Sequence, residues 1–205
     1  MKPRIVLATT NPAKLRELED LLAPWQVEVL AQSRFTRDSV AETGLTFVEN
    51  AILKARYAAE KSGLPAVADD SGIEVDALRG RPGIYSARYA GQGASDTDNL
   101  QRLLVELAGV PLEKRTARYR CALVYMRYEL DPAPIICQAS WEGTIMVESR
   151  GDGGFGYDPI FQVAGLGVTA AELSAEAKNQ LSHRGKALRF LVAELEATGV
   201  LPRRA

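Results

Sequence analysis

The chain of 205 residues is 46% hydrophobic and 25% charged, which is typical of a globular protein that can bury a sizeable core. Its 25 Lys and Arg residues against 26 Asp and Glu residues leave a net charge of −1. This balance argues against a broad nucleic-acid-binding surface and against a polybasic membrane patch, although a small cationic pocket is still compatible with it.

The cysteine and histidine content excludes two further classes. Two cysteines, Cys121 and Cys137, are too few for a disulfide scaffold, and both lie in apolar, strand-like runs. A single histidine, His183, excludes a zinc site built from several histidines. No apolar run approaches the ~18 residues of a membrane span, and no signal peptide is recognisable. We therefore expect a cytoplasmic protein with reduced core thiols and no membrane association.

The first third of the chain alternates strands and helices. Residues 4–9 and 27–31 read as apolar strands, and between them Asn11 and Pro12 start a helix as an N-cap and an N1 proline. A second helix begins at a Thr46–Glu49 capping box and ends near residue 62 at Gly63. On that helix, Asn50 and Lys54 lie one turn apart, away from the apolar face.

The remainder contains an acidic corner, a long hairpin and a helical end. Residues 66–75 read as two short apolar runs on either side of a turn at 69–72, followed by a helix over 97–107. Strands over 117–128 and 135–147 form a hairpin, a glycine-rich loop covers 151–159, and about 35 helical residues close the chain. The inward residues of that helical end are predicted to be Leu181, Leu188, Leu191, Val192 and Leu195. This order predicts an α/β fold with a mixed sheet, in a single domain over 1–205.

Adjacent carboxylates at Asp69 and Asp70 are the first candidates for chemistry. On extended backbone their side chains point to opposite sides, so only one faces a given site. Carboxylates are the ligands Mg²⁺ prefers, together with substrate phosphates. Solvated aspartates in an Asx-turn are the alternative. Glu42 is a further candidate, whereas Glu49 is explained equally well by the capping box.

Basic residues recur beside the loops. The corner from Thr9 to Lys14 joins a strand to a helix, where backbone amides and a lysine suit a phosphate. Lys54, Lys178 and the segment from His183 to Lys186 add further charge. Each of these residues taken alone is also explained as a solvated surface charge, so the case depends on their convergence.

The segment 151–156 formally matches the G-x-G-x-x-G pattern of dinucleotide-binding folds. Tyr157, Asp158 and Pro159 follow it, and this run opposes the helix start that such a site requires. A loop that carries Phe155 and Asp158 toward a ligand fits better, and a plain turn remains the alternative.

Six segments in combination resemble the inosine triphosphate pyrophosphatase family, and they occur in family order across nearly the whole chain. They are residues 8–14, 42–55, 68–72, 82–89, 153–161 and 182–187. The resemblance implies an elongated mixed sheet flanked by helices, in two lobes with an active-site cleft. It also implies a Mg²⁺-dependent homodimer that hydrolyses ITP, dITP and XTP to the monophosphate and pyrophosphate, which removes deaminated purines from the nucleotide pool.

The resemblance also implies a role for each matching residue. Asp70 is the expected catalytic residue, which binds the metal with Glu42 and accepts the proton of the attacking water. Ser71 touches the substrate, Phe155 stacks on the purine, and Lys54 and Lys178 add charge at the phosphates or the base. The remaining expected contacts are the phosphate corner (Thr9, Thr10, Asn11, Pro12, Ala13, Lys14), the wall beside the base (Gly156, Tyr157, Asp158) and the base edge (His183, Arg184).

Two other functions are compatible with some of these residues. A non-catalytic nucleotide-binding module would keep the phosphate corner, but it has less use for the carboxylates at 42, 69 and 70. A pyrophosphatase for modified pyrimidine nucleotides is the second, and the segments 154–158 and 182–185 favour the purine family over it. Binding of DNA or RNA is not supported, because no basic face with interleaved aromatic residues is present.

Overall fold

The computed structural model describes residues 2–203, and these fold into strands and helices in the expected order. The strands are β1 Arg4–Leu7, β2 Glu28–Ala31, β3 Ala66–Val75, β4 Thr116–Met126, β5 Ile135–Ile145 and β6 Phe161–Val163. The α-helices are α1 Pro12–Leu22, α2 Phe47–Ser62, α3 Asp96–Glu106, α4 Ala175–Leu181 and α5 His183–Ala197.

The six strands form one sheet in the order β2-β1-β3-β4-β5-β6. β1 runs parallel to both β2 and β3, whereas β5 and β6 are antiparallel. The parallel pairs need helical crossovers, and α1 and α2 supply them. The predicted mixed α/β fold is confirmed.

The chain divides into two compact units. Within the described residues, the first unit takes in 2–70, 122–138 and 187–203, and the second takes in 71–121 and 139–186. The expectation of a single functional domain over 1–205 stays a prediction. In residues 2–203 no helix is both long and apolar enough to cross a membrane.

Each unit has its own apolar core. In the first unit, Ala51 and Ala55 of α2 pack with Ala68 of β3 and with Val124 and Met126 of β4. The small alanine side chains let the helix approach the strands closely. In the second unit the buried residues are larger and include Ile73, Leu103, Trp141, Ile160 and Phe161. Such close-packed cores fix the strands that carry the polar residues described below.

The ends of α2 follow the predicted capping signals. The Thr46 side chain accepts a hydrogen bond from the Glu49 N–H at 3.2 Å, as in a capping box. The Glu49 carboxylate, however, accepts from the Leu45 N–H and from the Thr46 hydroxyl. At the other end, Gly63 has a φ of 64°, the left-handed conformation that ends many helices.

Two sequence expectations are wrong. The turn at 69–72 does not exist, because β3 continues through it; Asp69 and Asp70 find partners in the interior and need no turn toward water. Leu181 is 37% exposed, since the helical end is interrupted at Ser182 and Leu181 closes α4 before the inward stripe of α5 begins.

Candidate active site

The two carboxylates of β3 are buried in the first unit, and each is paired with a different lysine. Asp69 is 4% exposed and Asp70 is 9% exposed. Lys14 Nζ on α1 lies 2.6 Å from Asp69 Oδ2, and Lys54 Nζ on α2 lies 2.7 Å from Asp70 Oδ1. The alternation of side chains along the strand explains the two separate partners. Buried charges require such pairing, so the lysines are fixed in place by the strand.

Glu42 joins the same network through Lys54. Lys54 Nζ lies 3.1 Å from Glu42 Oε1, so one ammonium bridges two carboxylates. Burial acts to lower the pKa of Lys54, but the negative charges of Asp70, Asp69 and Glu42 outweigh it and raise that pKa. Burial raises the pKa of Asp70, with a further upward contribution from Glu42, while Lys54 and Asn50 act in the opposite direction. Asp70 is therefore a stronger base than an ordinary aspartate.

Asn50 belongs to this network, although the sequence analysis gave it no role. Its side chain is fully buried on α2. Nδ2 lies 3.4 Å from Asp70 Oδ2, and Oδ1 accepts a hydrogen bond from the Gly44 N–H at 2.9 Å. The amide thus connects the segment that carries Glu42 to the carboxylate of Asp70. The position of Asn50 four residues before Lys54 was the available signal, because both residues must then lie on one face of the helix.

The corner at residues 9–14 is largely stabilised by its own side chains. Thr9 Oγ1 accepts from the Asn11 N–H at 3.1 Å, and Asn11 Oδ1 accepts from the Ala13 N–H at 2.9 Å. Two of the amides expected to face a phosphate are therefore occupied locally. Thr10 and Pro12 are exposed beside them. The strongest group for an anion at this corner is the ammonium of Lys14.

Asp158 is the centre of a second cluster, in the second unit. It is buried, and its carboxylate accepts hydrogen bonds from the Phe155 N–H at 2.8 Å and from the Tyr119 hydroxyl at 3.2 Å. Lys178 forms an ion pair with it and places its ammonium 4.5 Å from the centre of the Phe155 ring. Asp158 therefore supports the loop, and Phe155, at 67% exposure, is the group that a ligand can reach.

Gly156 and Tyr157 attach the glycine-rich loop to other segments of the second unit. The Gly156 N–H donates to Asp96 at 2.8 Å, and the buried Tyr157 hydroxyl donates to the Ser86 carbonyl at 2.8 Å. Gly154 has a φ of 78°, and a side chain there would overlap the Asp158 carboxylate. The loop is followed by a short 3₁₀ turn and β6, which confirms that it is not a dinucleotide-binding helix start.

His183 lies against aromatic residues of the same unit. Its ring stacks on Tyr119 with centroids 4.8 Å apart and planes at 7°, and the Trp141 ring lies 6.5 Å away. Tyr119 thus contacts His183 through its ring and Asp158 through its hydroxyl, which links the loop to the start of α5. Arg184 is buried next to His183. Tyr119 was not among the predicted site residues, since an alternating strand offers no sign of its distant partners.

Ser71 follows Asp70 on β3 and is half-buried. In the first unit, Lys54 contacts both Glu42 and Asp70, while Lys14 contacts Asp69, the preceding residue of β3. In the second unit the structure brings together Phe155, Asp158, Lys178 and, through Tyr119, His183.

The carboxylates of the first unit are the candidate ligands for a metal ion. Among residues 2–203, no group of three or more His, Cys, Asp or Glu side chains is arranged to hold one. Glu42 and Asp70 nevertheless offer two hard oxygen ligands joined by one cation. An ion held here would complete its shell with water and phosphate oxygens, which is how Mg²⁺ usually binds. The donor set therefore fits Mg²⁺.

Comparison with known proteins identifies the family. The model of the Ham1 family matches residues 5–194. The chain belongs to the Ham1 family. Among its relatives, the dITP/XTP pyrophosphatase of Vibrio parahaemolyticus is 60% identical over 194 residues, which are 95% of this chain and 97% of that protein. The dITP/XTP pyrophosphatase of Pectobacterium atrosepticum is 59% identical over 192 residues, 94% and 98% of the two chains.

Solved structures of similar proteins agree with the fold. A HAM1 protein from Coxiella burnetii superposes with a TM-score of 0.91 at 47% identity, covering 95% of this chain and 99% of its own. A nucleoside-triphosphatase / dITP/XTP pyrophosphatase from Mycobacterium abscessus gives a TM-score of 0.79 at 40% identity, covering 92% and 98%. The family resemblance seen in the sequence is confirmed.

Gly185 offers a test of how tightly the start of α5 is packed. A side chain there would lie far inside van der Waals contact with the Asn179 carbonyl oxygen of α4. Helix propensity alone predicts that Gly185→Ala stabilises the protein by about 1 kcal/mol. We expect the opposite, a loss of about 1–3 kcal/mol, because backbone cannot move away cheaply. Urea denaturation measures the free energy of unfolding.

The matched control for this prediction is Ala193→Gly, at an exposed position of the same helix. It should lose about 1 kcal/mol from propensity alone. If helix propensity alone decides the outcome, Gly185→Ala raises the free energy of unfolding and Ala193→Gly lowers it. If the clash decides the outcome at residue 185, both substitutions lower it. A Gly185→Ala protein as stable as the parent protein would contradict our expectation.

Proposed function

We propose that this chain hydrolyses the non-canonical purine nucleoside triphosphates ITP, dITP and XTP to the monophosphate and pyrophosphate. The observation that carries the proposal is the network of lysines and buried carboxylates around β3. It combines cations for phosphate oxygens with oxygen ligands for a metal ion and a base of raised pKa. The printed name of the relatives, dITP/XTP pyrophosphatase, supports the substrate class.

The triphosphate is proposed to bind at the corner that begins at Thr9. Lys14 and Lys54 carry the positive charge, and both are held at the end of a buried ion pair. The corner residues Thr10, Asn11, Pro12 and Ala13 shape the backbone around the phosphates, and Ser71 contacts the substrate beside Asp70. Lysines that are already held beside the site need only a local change of side-chain conformation to meet a phosphate, which limits the entropy lost on binding.

Asp70 is proposed as the proton acceptor. A water oxygen attacks the α-phosphorus, the bond from that phosphorus to the bridging oxygen breaks, and pyrophosphate leaves with that oxygen. Asp70 takes the proton of the attacking water, and burial helps because it raises the pKa of the carboxyl. Asn50 orients Asp70 through its side-chain amide.

Glu42 and Asp70 are proposed to hold Mg²⁺. When bound, Mg²⁺ neutralises the charge that develops on the phosphate oxygens. The residues of the chain then have the remaining tasks of binding the phosphates, orienting the water and accepting its proton. Lys54 adds to the neutralisation because its ammonium contacts both of these carboxylates, and Lys14 adds further charge from its ion pair with Asp69.

Base selection is proposed to depend on the second cluster. The purine stacks on the exposed ring of Phe155, and Gly156, Tyr157 and Asp158 hold that ring in place. Lys178 adds positive charge beside it. Hypoxanthine and xanthine carry a 6-oxo group where adenine carries an amine. A donor from His183, Arg184 or a neighbouring backbone amide would be left without an acceptor by adenine, and such mismatches discriminate strongly.

We further propose a cytoplasmic homodimer. Cys121 and Cys137 are buried thiols, as expected for a reducing compartment. Burial raises the pKa of the Cys137 thiol to about 11, which keeps it protonated and unreactive.

Asp70→Asn removes the proposed proton acceptor and keeps the shape of the side chain. We expect kcat for ITP to fall by about 10²–10⁴-fold, the usual contribution of general-base catalysis. Asp69→Asn is the matched control, because its carboxyl pairs with Lys14 on the other side of β3. Pyrophosphate release in the presence of Mg²⁺ is the assay. A fall below tenfold in Asp70→Asn, or a larger loss in Asp69→Asn, would rule out the assignment.

A substrate panel tests the base selection. We expect kcat/KM to favour ITP and XTP over ATP by up to about 10⁴-fold, because adenine leaves a buried donor unsatisfied. GTP should be discriminated less strongly than ATP, since guanine keeps the 6-oxo group and differs only in its 2-amino group. Equal values for ITP and ATP would refute the mechanism of selection. Tight binding of ITP without any release of pyrophosphate would instead favour a nucleotide-binding module.

A further inference from the structure

Lys54 occupies a particular place relative to the proposed metal ligands. Its Nζ lies 2.7 Å from Asp70 Oδ1 and 3.1 Å from Glu42 Oε1, so it contacts an oxygen of each. All three side chains are mostly shielded from water. An ammonium between two shielded carboxylates satisfies them in the same way that a divalent cation would.

The position of Lys54 is fixed by its helix. Asn50 and Lys54 are four residues apart on α2 and both contact Asp70, so the two side chains lie on one face. The alanines of the same helix pack on the core of the first unit, which holds α2 against the strands. A change of its own side-chain conformation is therefore enough for Lys54 to leave the carboxylates.

Lys14 does not share this arrangement. It contacts Asp69, whose side chain points to the other side of β3, and Asp69 is not one of the two proposed ligands. The consecutive residues Asp69 and Asp70 thus each form a pair with a lysine, and only the pair at Asp70 involves a proposed metal ligand.

We propose that the Lys54 ammonium competes with the divalent cation for Glu42 and Asp70, and that the triphosphate relieves the competition by offering the ammonium its phosphate oxygens. This inference rests on the proposed function, since it concerns the ligands assigned there. Two cations that share two carboxylates repel each other strongly in a shielded site. The divalent ion alone should therefore bind weakly, and ion and triphosphate should each strengthen the binding of the other.

The test measures Mn²⁺ binding to the full-length protein without nucleotide. Mn²⁺ takes the same oxygen ligands as Mg²⁺, and its free form is counted by electron paramagnetic resonance. Lys54→Met removes the ammonium and keeps the length of the side chain. We expect the Kd for Mn²⁺ to fall at least tenfold. A Kd within twofold of the parent protein, or a higher one, would overturn the inference.

Lys14→Met is the control, because it removes the same charge from the other pair. It should change the Kd for Mn²⁺ less than threefold. A fall in Kd equal to that of Lys54→Met would overturn the inference, because the effect would then follow from net charge alone. Lys54→Arg covers the case in which Lys54→Met does not fold, as judged by circular dichroism. Its guanidinium keeps the positive charge, so the Kd should stay the same or rise, and a lower Kd would contradict the competition.

Pyrophosphate release from ITP by the same parent preparation distinguishes a failure of the competition from a failure of the proposed function. If ITP is hydrolysed and Lys54→Met does not change the Kd for Mn²⁺, only the competition is wrong. If ITP is not hydrolysed under any Mg²⁺ concentration, the proposed function itself fails.

Discussion

Two consecutive aspartates buried in the middle of a strand impose the main constraint on this structure. A buried carboxylate is costly unless a cation and further hydrogen bonds compensate it. Because neighbouring side chains of β3 point to opposite sides, Asp69 and Asp70 need separate partners, and α1 and α2 provide Lys14 and Lys54. The two helices are thus positioned by apolar packing and by charge at once. The same pairs place ammonium groups beside the carboxylates, and the proposed function depends on this arrangement.

In the second cluster, too, a buried carboxylate has its charge compensated, and here the compensating groups support the loop that carries Phe155. Asp158 is buried, and its ion pair with Lys178 and its hydrogen bonds from Tyr119 and the Phe155 backbone compensate its charge. The polar groups of the loop are therefore turned inward, and the Phe155 ring is left exposed. In both clusters a buried carboxylate acts as a fixed point for groups that are themselves able to contact a ligand. This is the support that a precise binding site needs, since the contacting groups lose little freedom on binding.

Local signals in the sequence predicted much of this fold, whereas features that depend on contacts between distant residues were not predicted. Asn11, Thr46 and Gly63 marked the helix ends, because capping involves residues only a few positions apart. The turn predicted at 69–72 was wrong because Asp, Ser and Gly favour turns locally, whereas the lysines that stabilise the extended form are distant in sequence. Asn50 and Tyr119 were missed for the same reason. The family resemblance named most residues of both clusters, but it did not reveal that each lysine is already paired with a carboxylate.

The decisive measurement is a crystal structure of the protein with Mg²⁺ and a slowly hydrolysed ITP analogue. Phosphate oxygens should lie within hydrogen-bond distance of Lys14 and Lys54, with Mg²⁺ on Glu42 and Asp70. Lys54 Nζ should have left Asp70 Oδ1, from which it is 2.7 Å distant here. A triphosphate bound away from Lys14 and Asp70 would contradict these assignments.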